Sequence, residues 1–229
     1  FNKPAPANWR KFYKKDGAHI SDSKYKSCCG LVIGHIKKSF GYKPAKYILE
    51  LGKWADIIDG ADYKSIKWAI ESRVPAMELR IYIMHEEDKH KRRELIKNLA
   101  RQPMKEIVAR RHIAQKVEKG ANDLKKAIKN LQEISFLSGK AVFADTTKTQ
   151  SDISHYLMYY KYPKAKYSVV LETSKGGYHL GIGFNRWQKD KFCANISQLL
   201  TKYGGGGHKT VGAVEKRSKK EILKIAEEI

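Results

Sequence analysis

A two-part α/β fold is predicted for this 229-residue chain, and three observations carry the prediction. The first 135 or so residues read mostly in helical period. After about residue 138, short β-branched and aromatic runs alternate with helix-like stretches. Between the two textures, residues 89–135 are charged and amphipathic, as a bridge of two or three helices would be. The length suits one large domain or two small ones. An apolar content of 41 %, with four Trp, 13 Tyr and seven Phe, is enough for a real core.

Taken in order, residues 1–24 are polar and Pro-bearing and predict an extended or loop segment. "KYKSCCGLVIGHIKKSF" (24–40) predicts a helix with an apolar face, started by Ser27 or a nearby Ser or Asp. "PAKYILELGKWADIIDGADY" (44–63) predicts a second helix, broken by Gly60. "PAMELRIYIMHEED" (75–88) predicts a buried helix with Pro75 in its first turn. In the second part the strand candidates are "KAVFADT" (140–146), "AKYSVVLE" (165–172), "GGYHLGIGF" (176–184) and "TVGAVE" (210–215). Helix candidates lie at 152–162, at 189–203 and at 218–229, where Ser218 and Glu221 have capping-box spacing. The expected order is therefore β-α-β-β-α-(Gly loop)-β-α.

The formal net charge is +22, from 46 basic and 24 acidic residues. It is spread along the chain, +14 over residues 1–135 and +8 over 136–229, with clusters such as "HKRR" (90–93) and "EKRSKK" (215–220) inside helical patterns. Such a surface favours polyanionic partners, nucleic acid or nucleotide first. No apolar run approaches the roughly 20 residues that span a bilayer, which argues against a membrane partner. Cys28, Cys29 and Cys193 are odd in number and lack CxxC spacing. They support neither a disulfide framework nor a zinc site, and point to the cytoplasm or another reducing intracellular compartment.

The most informative stretch is "LLTKYGGGGHKTVGAVE" (199–215). Glycine is costly to order, so four in a row need a reason. A helix cap needs one, as C′ in the left-handed conformation. A turn that aims several amides and an imidazole at one point needs more, and suits a phosphate oxygen or a terminal nucleotide.

"YGGGGHKTVGA" resembles the signature of the DHHA1 domain. "KSCCGLVIGHI" resembles the Ser-Cys-Ala-Gly helix of the DHH phosphoesterases, and "KWADIIDGADY" their later Asp-containing motif. The three occur in family order and span roughly 20–229. The resemblance implies part of a DHH parallel-sheet domain at 1–100, a helical linker at 101–137 and a smaller α/β DHHA1 substrate-binding domain at 138–229. It implies a two-metal Mn²⁺ or Mg²⁺ site and hydrolysis of a phosphodiester in a short single-stranded oligonucleotide or a dinucleotide. Gly205, Gly206, Gly207 and His208 would then bind the substrate, and Asp56 would be a metal ligand, with Asp59 beside it.

The family's amino-terminal Asp-rich strand end and Asp-His-His triplet are missing. "FNKPAP" stands about where the triplet should end, and the absence of an initial Met leads to the expectation of a truncated or processed chain whose metal site is incomplete. On helical spacing Asp56, Asp59 and Asp62 share a face, which equally describes solvated charges at a helix end. Asn185 and Arg186, in "FNRW" after a strand candidate, are candidate phosphate or base contacts, with a solvated turn as the alternative. His35 is expected at the core boundary, and His85 and His90 at the surface. His155 and His179 are secondary candidates for reaching substrate. The rival to the enzyme is a DHH-derived nucleic-acid-binding protein without catalysis, such as a subunit of a ribonucleoprotein assembly.

Overall fold

The computed structural model describes residues 20–22, 24–148, 154–188, 190 and 194–228. Expectations for the amino-terminal segment and for Cys193 lie outside these residues. The chain divides into two compact units, with the boundary between Lys125 and Lys126.

The described part of the first unit is helical. Helix α1 (Cys28–Phe40) is capped by Ser27, whose Oγ accepts from Gly30 N, and is closed by left-handed Gly41 (φ 61°). Helix α2 spans Lys46–Asp59. Ser65 caps α3 (Ile66–Glu71), and Pro75 opens α4 (Pro75–His85). Asp88 caps α5 (Lys89–Leu99) by accepting from His90 N and Lys91 N. Helix α6 is Met104–Val108, and α7 (Arg111–Ile134) runs across the boundary between units. The core gathers Leu79 and Tyr82 of α4, Leu95 of α5, Met104 and Ile107 of α6, and Ile113 and Val117 of α7. Each such aliphatic side chain contributes about 1.5–3 kcal/mol by leaving water.

Helix α2 stops at Asp59, and Gly60 breaks it as expected, but the face expected beyond it fails. Gly60 N turns back to Asp56 O, Ala61 adopts φ 51°, and Asp62 N bonds Ile57 O at 2.8 Å. Asp62 therefore leaves the face it was expected to share with Asp56 and Asp59, and pairs with Lys26 instead.

The second unit holds one six-stranded sheet in the order β1-β2-β3-β4-β6-β5. The strands are β1 (Ser135–Ser138), β2 (Ala141–Asp145), β3 (Tyr167–Ser174), β4 (Gly177–Phe184), β5 (Gly206–His208) and β6 (Val211–Lys216). Among the described strands only β2 and β3 are parallel, and α8 (His155–Lys161) lies between them in sequence as such a crossover requires. Period-two alternation sends Val169, Leu171, Leu180, Ile182 and Val214 to one face. There they pack on Ile196 and Leu200 of α9 (Ile196–Thr201) and on Ile222 and Ile225 of α10 (Lys219–Glu227). Helix α8 packs on β3 and buries Leu157, Met158 and Tyr159, so β3 also buries Ser168 and Val170.

Helix α9 begins at Ile196, seven residues later than expected, because Asn195 caps it by accepting from Gln198 N. Residues 189 and 191–193, the front of the expected helix, are not described. Ser218 occupies the N-cap of α10, yet its side chain makes no capping hydrogen bond. Strands β1 and β5 depart from the sequence expectation: β1 falls where the helical bridge is expected to end, and β5 lies inside the glycine run. Among the described residues, no helix is long and apolar enough to cross a membrane.

Candidate substrate-binding site

The glycine run performs three local tasks. Gly204 N donates to Thr201 O (3.1 Å) and Gly205 N to Leu200 O (2.9 Å), with Gly204 at φ 78°. This is the Schellman closure of α9, which a residue with a Cβ would strain at Gly204. Gly205 packs so closely that a Cβ there would stand 2.6 Å from Ala213 O. Gly206 to His208 then form β5, which pairs antiparallel with β6 through the two-residue turn Lys209–Thr210. At Gly207 (φ 149°) a Cβ would stand 2.2 Å from Gly212 Cα.

The expectation of several bare amides facing an anion is thus corrected for Gly205, whose N–H is spent on Leu200 O. The segment Gly206–His208 and the exposed His208 ring are what the turn presents. Strand β5 ends the sheet order, so its outer row of backbone groups has no strand partner among the described residues.

Strand register assembles the surroundings. One row across the sheet runs Gly206, Ala213, Gly181, Val170, and the next runs His208, Val211, Gly183, Ser168. The face that carries His208 therefore also carries His179, two residues before Gly181. His155 covers its far side: a Cβ on Gly183 would stand 2.9 Å from His155 Cγ, and one on Gly181 would stand 3.5 Å from His155 Nε2. His155 Nδ1 lies 2.7 Å from Ser168 Oγ, which lies 2.7 Å from Tyr159 Oη. Burial pushes the His155 imidazole down to about 4, with Glu172 opposing and His179 reinforcing, so the ring is neutral at neutral pH. His179 stands 3.4 Å from Glu172 Oε2, without hydrogen-bond geometry to its Nδ1. That carboxylate raises the His179 imidazole against its own burial. The face is thus a floor of Gly206, Ala213 and Gly181 between His208 on one side and the His155–His179–Glu172 group on the other. Histidines reached by register are invisible to local spacing, which is why they ranked second in sequence.

Asn185 and Arg186 part company. Asn185 is 2 % exposed. Its Nδ2 donates to Ala165 O (2.9 Å) and its Oδ1 accepts from Trp187 N (3.2 Å). It ties the end of β4 to the loop before β3, and its amide is committed to the fold. Arg186 is exposed and remains a candidate.

In the other unit, two of the sequence motifs meet. Asp56 Oδ1 accepts from Ser27 N (3.0 Å) and Ser27 Oγ (2.5 Å), beside buried Gly30. A Cβ at Gly30 would stand 2.5 Å from Asp56 Oδ1, so the glycine of "SCCG" is what lets this carboxylate reach the start of α1. Burial, then Asp56, pushes the neighbouring Cys29 thiol up. Asp59 is exposed at the end of α2. Among the described residues no group of three or more His, Cys, Asp or Glu is placed to hold a metal ion. A two-metal centre needs several anionic ligands to offset the repulsion between its cations. Asp56 and Asp59 do not meet that need, so the described residues do not fit the Mn²⁺ or Mg²⁺ pair that the resemblance implies.

No family model matches the chain, and no curated protein matches it. Among solved structures, it is similar to the pGpG-specific phosphodiesterase PggH from Vibrio cholerae, with a TM-score of 0.69 at 16 % identity over 88 % of this chain and 72 % of that one. It is also similar to an exopolyphosphatase-related protein from Bacteroides fragilis, with a TM-score of 0.42 at 12 % identity over 91 % of this chain and 57 % of that one. Identity at the level seen with PggH speaks for the fold. With a mixed sheet behind the glycine-histidine turn and a serine-capped helix against Asp56, this chain has the mixed α/β fold of a DHH/DHHA1 phosphoesterase.

Proposed function

We propose that this chain serves phosphodiester hydrolysis on short single-stranded nucleic acid or dinucleotides, with the second unit gripping the substrate. The observation that supports it best is the sheet face that carries Gly206, His208 and His179, with His155 over Gly181 and Gly183, within a fold like that of an enzyme named for pGpG. His208 donates to a phosphate oxygen or a terminal nucleotide, Gly206 and Gly207 bring backbone close to it, and exposed Arg186 guides the strand. The neutral ring of His155 offers a hydrogen bond without bringing a positive charge. Asp56, with Asp59 beside it, would offer carboxylates to a divalent-metal centre, which the described residues do not complete.

A second reading has its own support. Asp56 already has a structural task, accepting from Ser27 N and Ser27 Oγ at the start of α1. A nucleic-acid-binding protein without catalysis would keep that contact for stability alone. The test is hydrolysis of a dinucleotide by the purified chain with excess Mn²⁺, beside Asp56→Ala and with melting temperature followed in both. Turnover that disappears in the variant, with binding retained, supports the hydrolase. Binding without turnover in either protein, with a lowered melting temperature in the variant, supports the binding protein. Equal turnover in both removes Asp56 from the metal centre.

A further inference from the structure

The densest positive charge of the chain falls in the first unit, on and just after α5, and not in the unit that holds the glycine-histidine turn. Residues 89–111 hold nine Lys or Arg against two Glu, a net +7 in 23 residues, whereas the whole chain carries +22 in 229. Helix α5 has its Leu95 in the core, with Leu99 packed against it. At 100° per residue the opposite arc holds Lys89, His90, Arg93 and Lys97, all exposed and with no acidic residue among them. Lys89, Arg93 and Lys97 form no ion pair among the described residues. Arg92, by contrast, turns to Glu86 O at 2.5 Å, and Arg110 turns to Glu94, Gln102 and Asn98.

This arrangement works against the helix that carries it. Like charges four residues apart repel, and Lys89 and Lys91 stand in the first turn, where the helix dipole disfavours cations. Asp88 at the cap offsets them in part. A polyanion laid along the arc relieves both penalties. Lys89, Arg93 and Lys97 rise in steps of about 6 Å, comparable to the separation of successive phosphates along a strand. A membrane-surface helix would need a broad apolar face, whereas here Leu95 and Leu99 are committed to the core and Ile96 is the one apolar side chain of α5 that is largely exposed, at 66 %.

We propose that the exposed face of α5 docks the sugar-phosphate backbone of single-stranded nucleic acid, independently of the glycine-histidine site. Such contacts are indifferent to sequence, and let the protein hold a strand longer than the few nucleotides a glycine-histidine turn can grip.

The test uses the full chain and a labelled single strand of about 20 nucleotides, with a dinucleotide as second probe. Lys89→Gln/Arg93→Gln/Lys97→Gln is expected to weaken binding of the strand about tenfold or more and to flatten the slope of log K against log salt by about two, since each phosphate contact on a single strand contributes about 0.7. Dinucleotide affinity stays unchanged. A matched control, Lys129→Gln/Lys220→Gln/Lys224→Gln, removes the same charge from the other unit and leaves the slope in place. An unchanged slope in the α5 variant overturns the proposal, as does an equal loss in the control. Loss of binding to phosphatidylserine vesicles with strand affinity intact also overturns it, in favour of a lipid surface. Strand binding that depends on α5, with no dinucleotide binding by the parent chain, sinks the proposed function and leaves this inference standing.

Discussion

Asn185→Ala separates a residue that holds the fold from one that touches a ligand. The wild-type side chain is buried, and three hydrogen bonds connect it to Ala165 O at 2.9 Å, Pro163 O at 3.5 Å and Trp187 N at 3.2 Å. Each is worth about 1 kcal/mol net, and a buried group left without a partner costs about 1–3 kcal/mol. The loss is softened, because Gln188 Nε2 also reaches Pro163 O and Ala165 O, at 2.5 and 3.3 Å. The long Pro163 contact contributes little, so the net destabilisation is about 2–3 kcal/mol. For a unit of this size that lowers the melting temperature by roughly 10 °C. Calorimetric melting gives the first number, and titration with a dinucleotide well below the transition gives the second. An unchanged melting temperature together with weakened dinucleotide binding would refute the reasoning and return Asn185 to the substrate.

Two further outcomes follow from the same unit. Gly207→Ala combines a left-handed backbone angle (φ 149°) with a Cβ 2.2 Å from Gly212 Cα, so it should distort the β5–β6 hairpin and cost more stability than Gly204→Ala, where the new Cβ meets open space; strain of this kind costs about 1–3 kcal/mol, and paired thermal melts measure the difference. His155 is held down to about 4 by burial, from an ordinary 6.5; its lowered folded value means that the unfolded chain binds the proton first, so stability falls as pH drops from 6.5 towards 4. His155→Gln should flatten that decline, read from melting temperature against pH.

Local signals carried much of the fold. Ser27 before an apolar helical period, Pro75 in the first turn of α4 and the β-branched runs of β2, β3 and β6 each state their conformation within a few residues. The failures arose where long-range contacts decide. The pairing of Gly206–His208 with β6 turned a run read as a bare anion loop into a strand. The left-handed turn at Ala61 removed Asp62 from a face that helical spacing had given it. Asn185 looked like a contact because it follows a strand, and its burial depends on Ala165 and Pro163, some 20 residues away. The group of His155, His179 and Glu172 is built by strand register and by a helix from another part of the chain, so no spacing rule points to it. The contact between Ser27 and Asp56, 29 residues apart, was legible only as two motifs in family order; that they touch is a tertiary fact.

The central claim is that the glycine-histidine turn is where this protein meets a nucleotide. Calorimetric titration of the dinucleotide pGpG into the parent chain and into His208→Ala tests it most directly. His208 is exposed at the end of the edge strand β5, so its truncation should leave the melting temperature unchanged. Losing its hydrogen bond to the ligand should cost about 1–3 kcal/mol, a weakening of roughly 5- to 150-fold. Affinity that is unchanged while the melting temperature falls would make His208 a structural residue and contradict the account.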